Sequence, residues 1–141
     1  MELLKKISLF SAVFGLGAGV VGILPVIGLP GFLILIFATA PIIFFMMKRL
    51  YNFKIENEGK ALSLGALTGF TSFLGFAFSF LPVSFILSFI FKNSYLANIS
   101  LLLKNGFSLT FMLIIFVGFL SAMMNAFSGL ACIYFFRENG E

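Results

Sequence analysis

"GALTGFTSFLGFAFS", residues 65–79, places a small or weakly polar residue at every third or fourth position. In an α-helix this spacing puts them on one face, and large apolar side chains occupy most of the remaining positions. Helix association in lipid depends on close backbone approach rather than on the hydrophobic effect, and small residues allow that approach. The stripe consists of Gly65, Thr68, Gly69, Ser72, Gly75 and Ser79. The stretch therefore predicts a membrane helix that packs through one narrow face.

Two other apolar runs carry similar stripes. In residues 7–24 the stripe consists of Ser8, Ser11, Ala12, Gly15, Ala18, Gly19 and Gly22. In residues 107–136 it consists of Gly118, Ser121, Ala122, Asn125, Gly129 and Cys132. We predict that these two helices and the helix of residues 61–81 form a tight core. The predicted packing residues are Gly15, Gly19, Gly22, Gly65, Gly69, Ser72, Gly118, Ala122 and Gly129.

A fourth apolar run, residues 31–47, has no long stripe. We therefore predict that its helix packs outside the core and is kinked at Pro41, because proline lacks a helical hydrogen bond. This arrangement predicts that Gly69→Leu disrupts folding, whereas Leu35→Gly or Ile36→Ala does little.

The composition indicates an integral membrane protein. Of the 141 residues, 61% are hydrophobic and 10% are charged, whereas a soluble domain carries about 25% charged residues. Apolar runs reach the length of about 18 residues at which a membrane helix is expected. We predict an all-α fold, a multi-pass transmembrane helical bundle in one membrane domain, residues 1–141. The four predicted spans are residues 7–24, 31–47, 61–81 and 107–136.

The third apolar run continues from Ala61 to Phe91, which exceeds the roughly 20 residues that cross a bilayer upright. Pro82 is predicted to end the span. Residues 83–104 are then an interfacial or partly re-entrant segment. The alternative is a fifth span across residues 83–104, which would bury Lys92 near the middle of the membrane at a cost of about 3 kcal/mol.

"GILPVIGLPG", residues 22–31, joins the first two predicted spans without any charged residue. We predict a compact hairpin turn made by Pro25–Gly28, with Pro30 near the start of the next helix, where proline is tolerated. The alternative is a re-entrant element. Such an element needs buried polar groups to satisfy its broken backbone, and this segment contains none of its own.

Basic residues indicate the orientation. The two tails and the loop of residues 48–60 hold seven of the nine Lys and Arg residues. The positive-inside rule then places both termini in the cytoplasm, and we expect a bacterial cytoplasmic membrane. Lys48, Arg49, Lys54 and Lys60 in the loop are predicted to contact anionic lipid headgroups or a partner protein. Nucleic-acid binding is not expected, because the basic residues flank apolar runs instead of forming one patch.

The sequence lacks the residues that most enzymes and metal sites require. It has no His and one Cys, and its five acidic residues lie in the tails or in the loop of residues 48–60. Catalysis needs titratable or nucleophilic groups brought together, and zinc sites need several His or Cys ligands. We therefore predict no enzymatic activity, no metal and no cofactor.

Asn125, with Ser121 one turn before it, is the candidate polar site inside the membrane. Its amide is predicted either to bind a substrate or to form an interhelical hydrogen bond to a serine or a backbone carbonyl. Thr68, Thr71 and Ser72 are expected to bond back to their own helix.

Two functional hypotheses follow. The first is a small non-enzymatic membrane protein that acts through helix packing, in an accessory, assembly or scaffold role, alone or with further copies. The second is a small oligomeric transporter or channel for an ion or small solute. Two features favour the second hypothesis. The prolines can break membrane helices, as happens at the binding sites of some transporters. The recurrence of "ILPV" (23–26) as "FLPV" (80–83) is compatible with the parallel repeats that some transporters contain. A dry, closed bundle around Asn125 and Ser121 would argue against transport.

Overall fold

The fold was obtained as a computed structural model, and residues 2–51, 54–55, 57–90, 101, 104 and 106–138 are described. Five α-helices cover nearly all of these residues, and none of them lies in a β-strand. They are α1 (Glu2–Val21), α2 (Pro25–Phe37), α3 (Thr39–Tyr51), α4 (Glu58–Ile90) and α5 (Phe107–Glu138). The prediction of an all-α fold is confirmed.

Three of the helices are long and apolar enough to cross a membrane. These segments are Leu4–Val21, Glu58–Ile90 and Phe107–Phe135. Helices α2 and α3 reach the same length and hydropathy only when taken together, and they are bent by 70° relative to each other. Length and composition thus indicate an integral membrane protein with three unbroken candidate spans and one broken helix pair.

Helix α4 lies at the centre of the fold. It packs along both α1 and α5, whereas α1 and α5 make no comparable contact with each other in the described part of the chain. Helices α2 and α3 each contact all three long helices. The fold therefore has one layer in the order α1, α4, α5, and the bent α2–α3 pair covers one face of that layer.

The bent pair supplies much of the apolar core, which contradicts its predicted place outside it. One cluster of buried side chains contains Ile7, Ala40, Ile43, Phe44, Met47 and Leu64. A second cluster contains Leu35, Phe73, Phe76 and Ala77. Leu35 and Ala40 are fully buried. A stripe of small residues is one way for a membrane helix to pack, and large side chains that enter the space beside glycines are another.

Helix α4 does not stop at Pro82, where the third span was predicted to end. Helix α4 passes through Pro82 and ends at Ile90, so residues 83–90 belong to it, and residues 91–100 lie outside the described part of the chain. Proline removes one hydrogen bond, but membrane helices tolerate it because the freed backbone group finds other partners. The 33 residues of α4 make it about 50 Å long, and the hydrocarbon core is about 30 Å thick.

The turn between α1 and α2 is shorter than predicted and comes earlier in the chain. Residues 22–24 form it, and Gly22 N–H still donates to the Ala18 carbonyl oxygen at 2.7 Å. Pro25 is the first residue of α2, where a missing N–H is harmless, and Pro30 lies inside that helix. "ILPV" therefore spans a turn and a helix start, whereas "FLPV" lies entirely within α4, so the two copies do not form the same element.

Candidate functional site

The break between α2 and α3 is the most unusual backbone feature of the fold. Helix α2 ends at Phe37 and α3 begins at Thr39, so the bend lies at Ala38, three residues before the predicted kink at Pro41. A proline ring collides with the carbonyl group four residues earlier, here that of Phe37, which places the break on the N-terminal side of the proline. Carbonyl groups at the end of α2 and N–H groups at the start of α3 then need new partners.

The Asn125 side chain, which projects from α5, supplies those partners. Its Oδ1 accepts a hydrogen bond from the Ala40 N–H at 2.8 Å. Its Nδ2 lies 2.7 Å from the Ile36 carbonyl oxygen and 3.1 Å from that of Leu35. An amide has one acceptor oxygen and two N–H donors, and here both ends of the group are used. One side chain therefore joins the end of α2 to the start of α3.

Thr39 completes the hydrogen bonding of the break from within. Its Oγ1 lies 2.8 Å from the Leu35 carbonyl oxygen and 3.4 Å from that of Ile34. The Ala38 N–H also donates to the Ile34 carbonyl oxygen at 2.8 Å. Together with Asn125, these groups give a donor to each of the three successive carbonyls before Phe37. The carbonyl groups of Ile34, Leu35 and Ile36 therefore all have partners at the break, as buried backbone requires.

Ser121 ties the same region to α4. Its Oγ donates to the Gly69 carbonyl oxygen at 3.1 Å, and its own carbonyl oxygen lies 3.0 Å from Asn125 Nδ2. A Cβ atom added at Gly69 would collide with the Ser121 carbonyl oxygen and with the Asn125 side chain. A Cβ at Gly65 would collide with the Asn125 carbonyl oxygen. Two glycines of α4 thus make the space from which Asn125 reaches the break.

The site is closed and electrically neutral. Asn125, Ser121, Thr39 and Leu35 are all fully buried. Within the described residues, no group of three or more His, Cys, Asp or Glu could hold a metal ion. A ligand could bind the Asn125 amide only by displacing one of its backbone partners. The arrangement can hold two helix ends together.

An open apolar groove of about 480 Å³ lies elsewhere, between α1 and α4. Its lining residues are Ser8, Ala12, Leu16, Thr71, Leu74, Gly75 and Phe78. Neither Asn125 nor Ser121 contributes to it, so the groove and the polar site are separate features.

The predicted packing residues of α1 face α4. A Cβ at Gly15 would collide with the Ser72 carbonyl oxygen, and a Cβ at Gly19 with Ser79 Oγ. At Gly22 the added atom would lie 3.0 Å from the Phe76 ring. At Gly15 and Gly19 the two backbones are therefore so close that no side chain fits between them.

The predicted packing residues in α5 face large side chains as well as backbone. A Cβ at Gly118 would lie 3.2 Å from the Phe70 ring, and a Cβ at Gly129 would lie 2.9 Å from the Phe44 ring of α3. Ala122, between them, is half-buried. Gly129 thus leaves room for an aromatic ring of the bent pair.

The weakly polar residues of α4 mostly bond to their own helix. Thr68, Thr71 and Ser72 each donate to the carbonyl oxygen four residues earlier at 2.7 Å, which confirms the expectation for these three. Ser79 Oγ lies 2.9 Å from the Leu16 carbonyl oxygen and so links α4 to α1.

The predicted basic loop lies at one end of the layer, together with the start of α1. Lys48 and Arg49 are in the last turn of α3, Lys54 is in the link to α4, and Lys60 is in the first turn of α4. The Lys6 ammonium of α1 lies 4.6 Å from the centre of the Tyr51 ring. This end of the molecule therefore gathers cations from α1, α3 and α4.

The sequence pointed to Asn125 and to a serine or a backbone carbonyl as its partner. In the structure the amide nitrogen bonds to the backbone carbonyls of Leu35 and Ile36. The sequence did not indicate that these groups lie at a helix break, or that the amide oxygen accepts from the Ala40 N–H. The available signal was Pro41, since a broken membrane helix needs a donor and an acceptor nearby. No protein-family model, curated protein or solved structure matches the chain.

Proposed function

We propose that the chain is a non-enzymatic integral membrane protein that acts through helix packing, as an accessory, assembly or scaffold subunit. The observation that carries this proposal is the Asn125 amide. It is fully buried, and both of its ends are bonded to the α2–α3 break. The polar group best placed to recognise a solute is thus occupied by the backbone of the protein itself.

Displacing that amide would be unfavourable. An interhelical hydrogen bond in a membrane contributes on average only about 0.6 kcal/mol. A buried backbone group left without any partner, however, costs about 1–3 kcal/mol. A solute that took Asn125 away from Ala40 and Ile36 would have to replace both a donor and an acceptor at the break. The geometry therefore favours a static support over a binding site.

The outer face of α5 suits contact with lipid or with helices of another protein. Its exposed large side chains include Phe111, Phe116, Phe119, Met123 and Phe127. An accessory subunit would offer such a face to its partner within the bilayer, where complementary shape and close approach determine which helices associate.

Photo-crosslinking in native membranes tests this proposal. A photoreactive amino acid at Phe116, which is 67% exposed, is compared with the same group at Phe44, which is 1% exposed. We expect one defined crosslinked product from position 116 and an intramolecular product from position 44. A position-116 product that contains only lipid, together with purification of this chain alone from several mild detergents, would count against an accessory role. A crosslink to a second copy would indicate a homo-oligomer.

A small oligomeric transporter or channel is the second candidate. The 70° break in an apolar helix pair favours it, because discontinuous helices form the solute sites of several transporters. Liposomes that contain the purified chain should then show solute or ion flux that Asn125→Leu abolishes. Ser121→Ala, which leaves the Asn125 amide in place, is the matched control. Absence of flux for a panel of ions and small solutes would leave the packing role as the better proposal.

A further inference from the structure

The corner between α1 and α3 places a cation of one helix against an aromatic ring of the other. The Lys6 ammonium lies 4.6 Å from the centre of the Tyr51 ring. Phe10, one turn further along α1, meets the same ring edge-on at 6.5 Å between centroids. The start of α1 is thus fixed against the end of α3, with Lys6 beside Tyr51.

The charged residues of this corner whose side chains are described are Lys5 and Lys6 of α1 and Arg49 of α3. Glu58, the acidic residue whose side chain is described at this end, accepts a hydrogen bond from the Tyr134 hydroxyl of α5 at 2.8 Å. That carboxylate is therefore engaged by α5.

Cationic and apolar side chains alternate on the surface of the corner. Leu4, 48% exposed, precedes Lys5, and Leu50, 59% exposed, follows Arg49. Tyr51 itself is 45% exposed. Lysine and arginine extend their apolar stems along such a surface while the charged group reaches water, and tyrosine favours the same depth at a membrane surface. A soluble acidic protein would have no use for the exposed leucines, whereas acyl chains would cover them.

We propose that the α1–α3 corner binds the phosphate of an anionic phospholipid. The inference rests on the chain lying in a membrane, and it does not depend on the packing role. Arg49 can donate two parallel hydrogen bonds to a phosphate, and the lysines act as point charges. The phosphate of a zwitterionic lipid is offset by its own cation, so the corner prefers lipids with net negative charge.

Binding of two phospholipids to the purified full-length chain tests this assignment. Detergent-solubilised protein is titrated with phosphatidylglycerol or phosphatidylcholine that carry the same fluorescent acyl chain. We expect phosphatidylglycerol to bind at least tenfold more tightly. Since each cation near an anionic lipid contributes about a fivefold change in affinity, the double variant Lys6→Gln with Arg49→Gln should lose roughly twentyfold. Raising the salt concentration should weaken binding of phosphatidylglycerol to the unaltered chain.

Two control variants separate the corner from general charge and from misfolding. Lys104→Gln removes an exposed cation just before α5, at the other end of the layer, and should leave the affinity unchanged. Lys6→Arg with Arg49→Lys keeps both charges and should retain most of the binding. Equal affinity for the two lipids, or an equal loss in Lys104→Gln, would overturn the proposal. Displacement of the bound lipid by inorganic phosphate at millimolar concentration would show that the site takes a free anion, which would also overturn it.

Discussion

The helices of the α1–α4–α5 layer pack against one another in a different way from the bent α2–α3 pair, which packs on that layer. In the layer, glycines bring backbones so close that an added Cβ would collide with a facing carbonyl oxygen, as at Gly15 and Gly65. The bent pair instead inserts large side chains such as Leu35 and Phe44, and its broken backbone depends on one amide from α5. Helices without a small-residue stripe can therefore still be central when a neighbour supplies both space and hydrogen bonds.

The largest effect is expected where α4 and α5 approach each other closely beside the Asn125 site. Gly69→Leu would drive a side chain into the Ser121 carbonyl oxygen and the Asn125 side chain. Overpacking costs about 1–3 kcal/mol and more when backbone must move, so we expect the chain to lose its fold. Gly17→Leu is the matched control, because nothing lies within 4 Å of a Cβ at that position. Thermal unfolding in detergent, followed by circular dichroism, compares the two variants. Equal stability would show that close backbone approach is not what holds the layer together.

The next effect concerns the hydrogen bonds that hold the bent pair. Asn125→Leu removes the partner of the Ala40 N–H and of the Ile36 carbonyl. Because each unsatisfied buried group costs about 1–3 kcal/mol, the variant should lose about 3 kcal/mol of unfolding free energy. Asn125→Asp should be nearly as destabilised, since a carboxylate cannot donate to the carbonyls. Chemical denaturation in mixed micelles measures both losses. If Asn125→Leu lost less unfolding free energy than Ser121→Ala, the break would not need the amide.

Leu35 tests whether the bent pair belongs to the core. It is fully buried beside Phe73 and Phe76, which reverses the expectation that its replacement is harmless. Leu35→Ala should destabilise the chain by about 2 kcal/mol through lost packing contacts. Leu33→Ala, at a position that is 49% exposed on the same helix, should have little effect. The free energy of unfolding is measured for both variants. A loss in Leu35→Ala that is no larger than the loss in Leu33→Ala would place α2 outside the core.

The smallest effect is expected for a hydrogen bond inside the layer. Ser79→Ala removes the bond from Ser79 Oγ to the Leu16 carbonyl oxygen but keeps a small residue beside Gly19. We expect a loss of about 0.6 kcal/mol, the average for such bonds in membranes. Thr71→Val, which removes a bond within α4 alone, serves as the reference. A loss above that of Asn125→Leu would mean that polar contacts, and not close backbone approach, dominate the α1–α4 contact.

The helices and their small-residue faces could be predicted because both are local properties of the sequence. A long apolar run predicts a helix wherever it lies in a membrane, since backbone groups in lipid must be satisfied within the segment. The spacing of Gly65 and Gly69 defines a face without any knowledge of the partner helix. The same local reasoning failed at Pro82, because a proline weakens a helix by an amount that only the surroundings can offset.

What the sequence by itself determined is an all-helical membrane chain with three faces suited to close approach. Only the tertiary structure decided that the helix break lies at Ala38, that Leu35 is buried, and that Asn125 closes the break. The physical reason is the distance along the chain. The Asn125 amide and the Ala40 N–H are 85 residues apart, and a hydrogen bond between them exists only once α4 has brought α5 and the bent pair together.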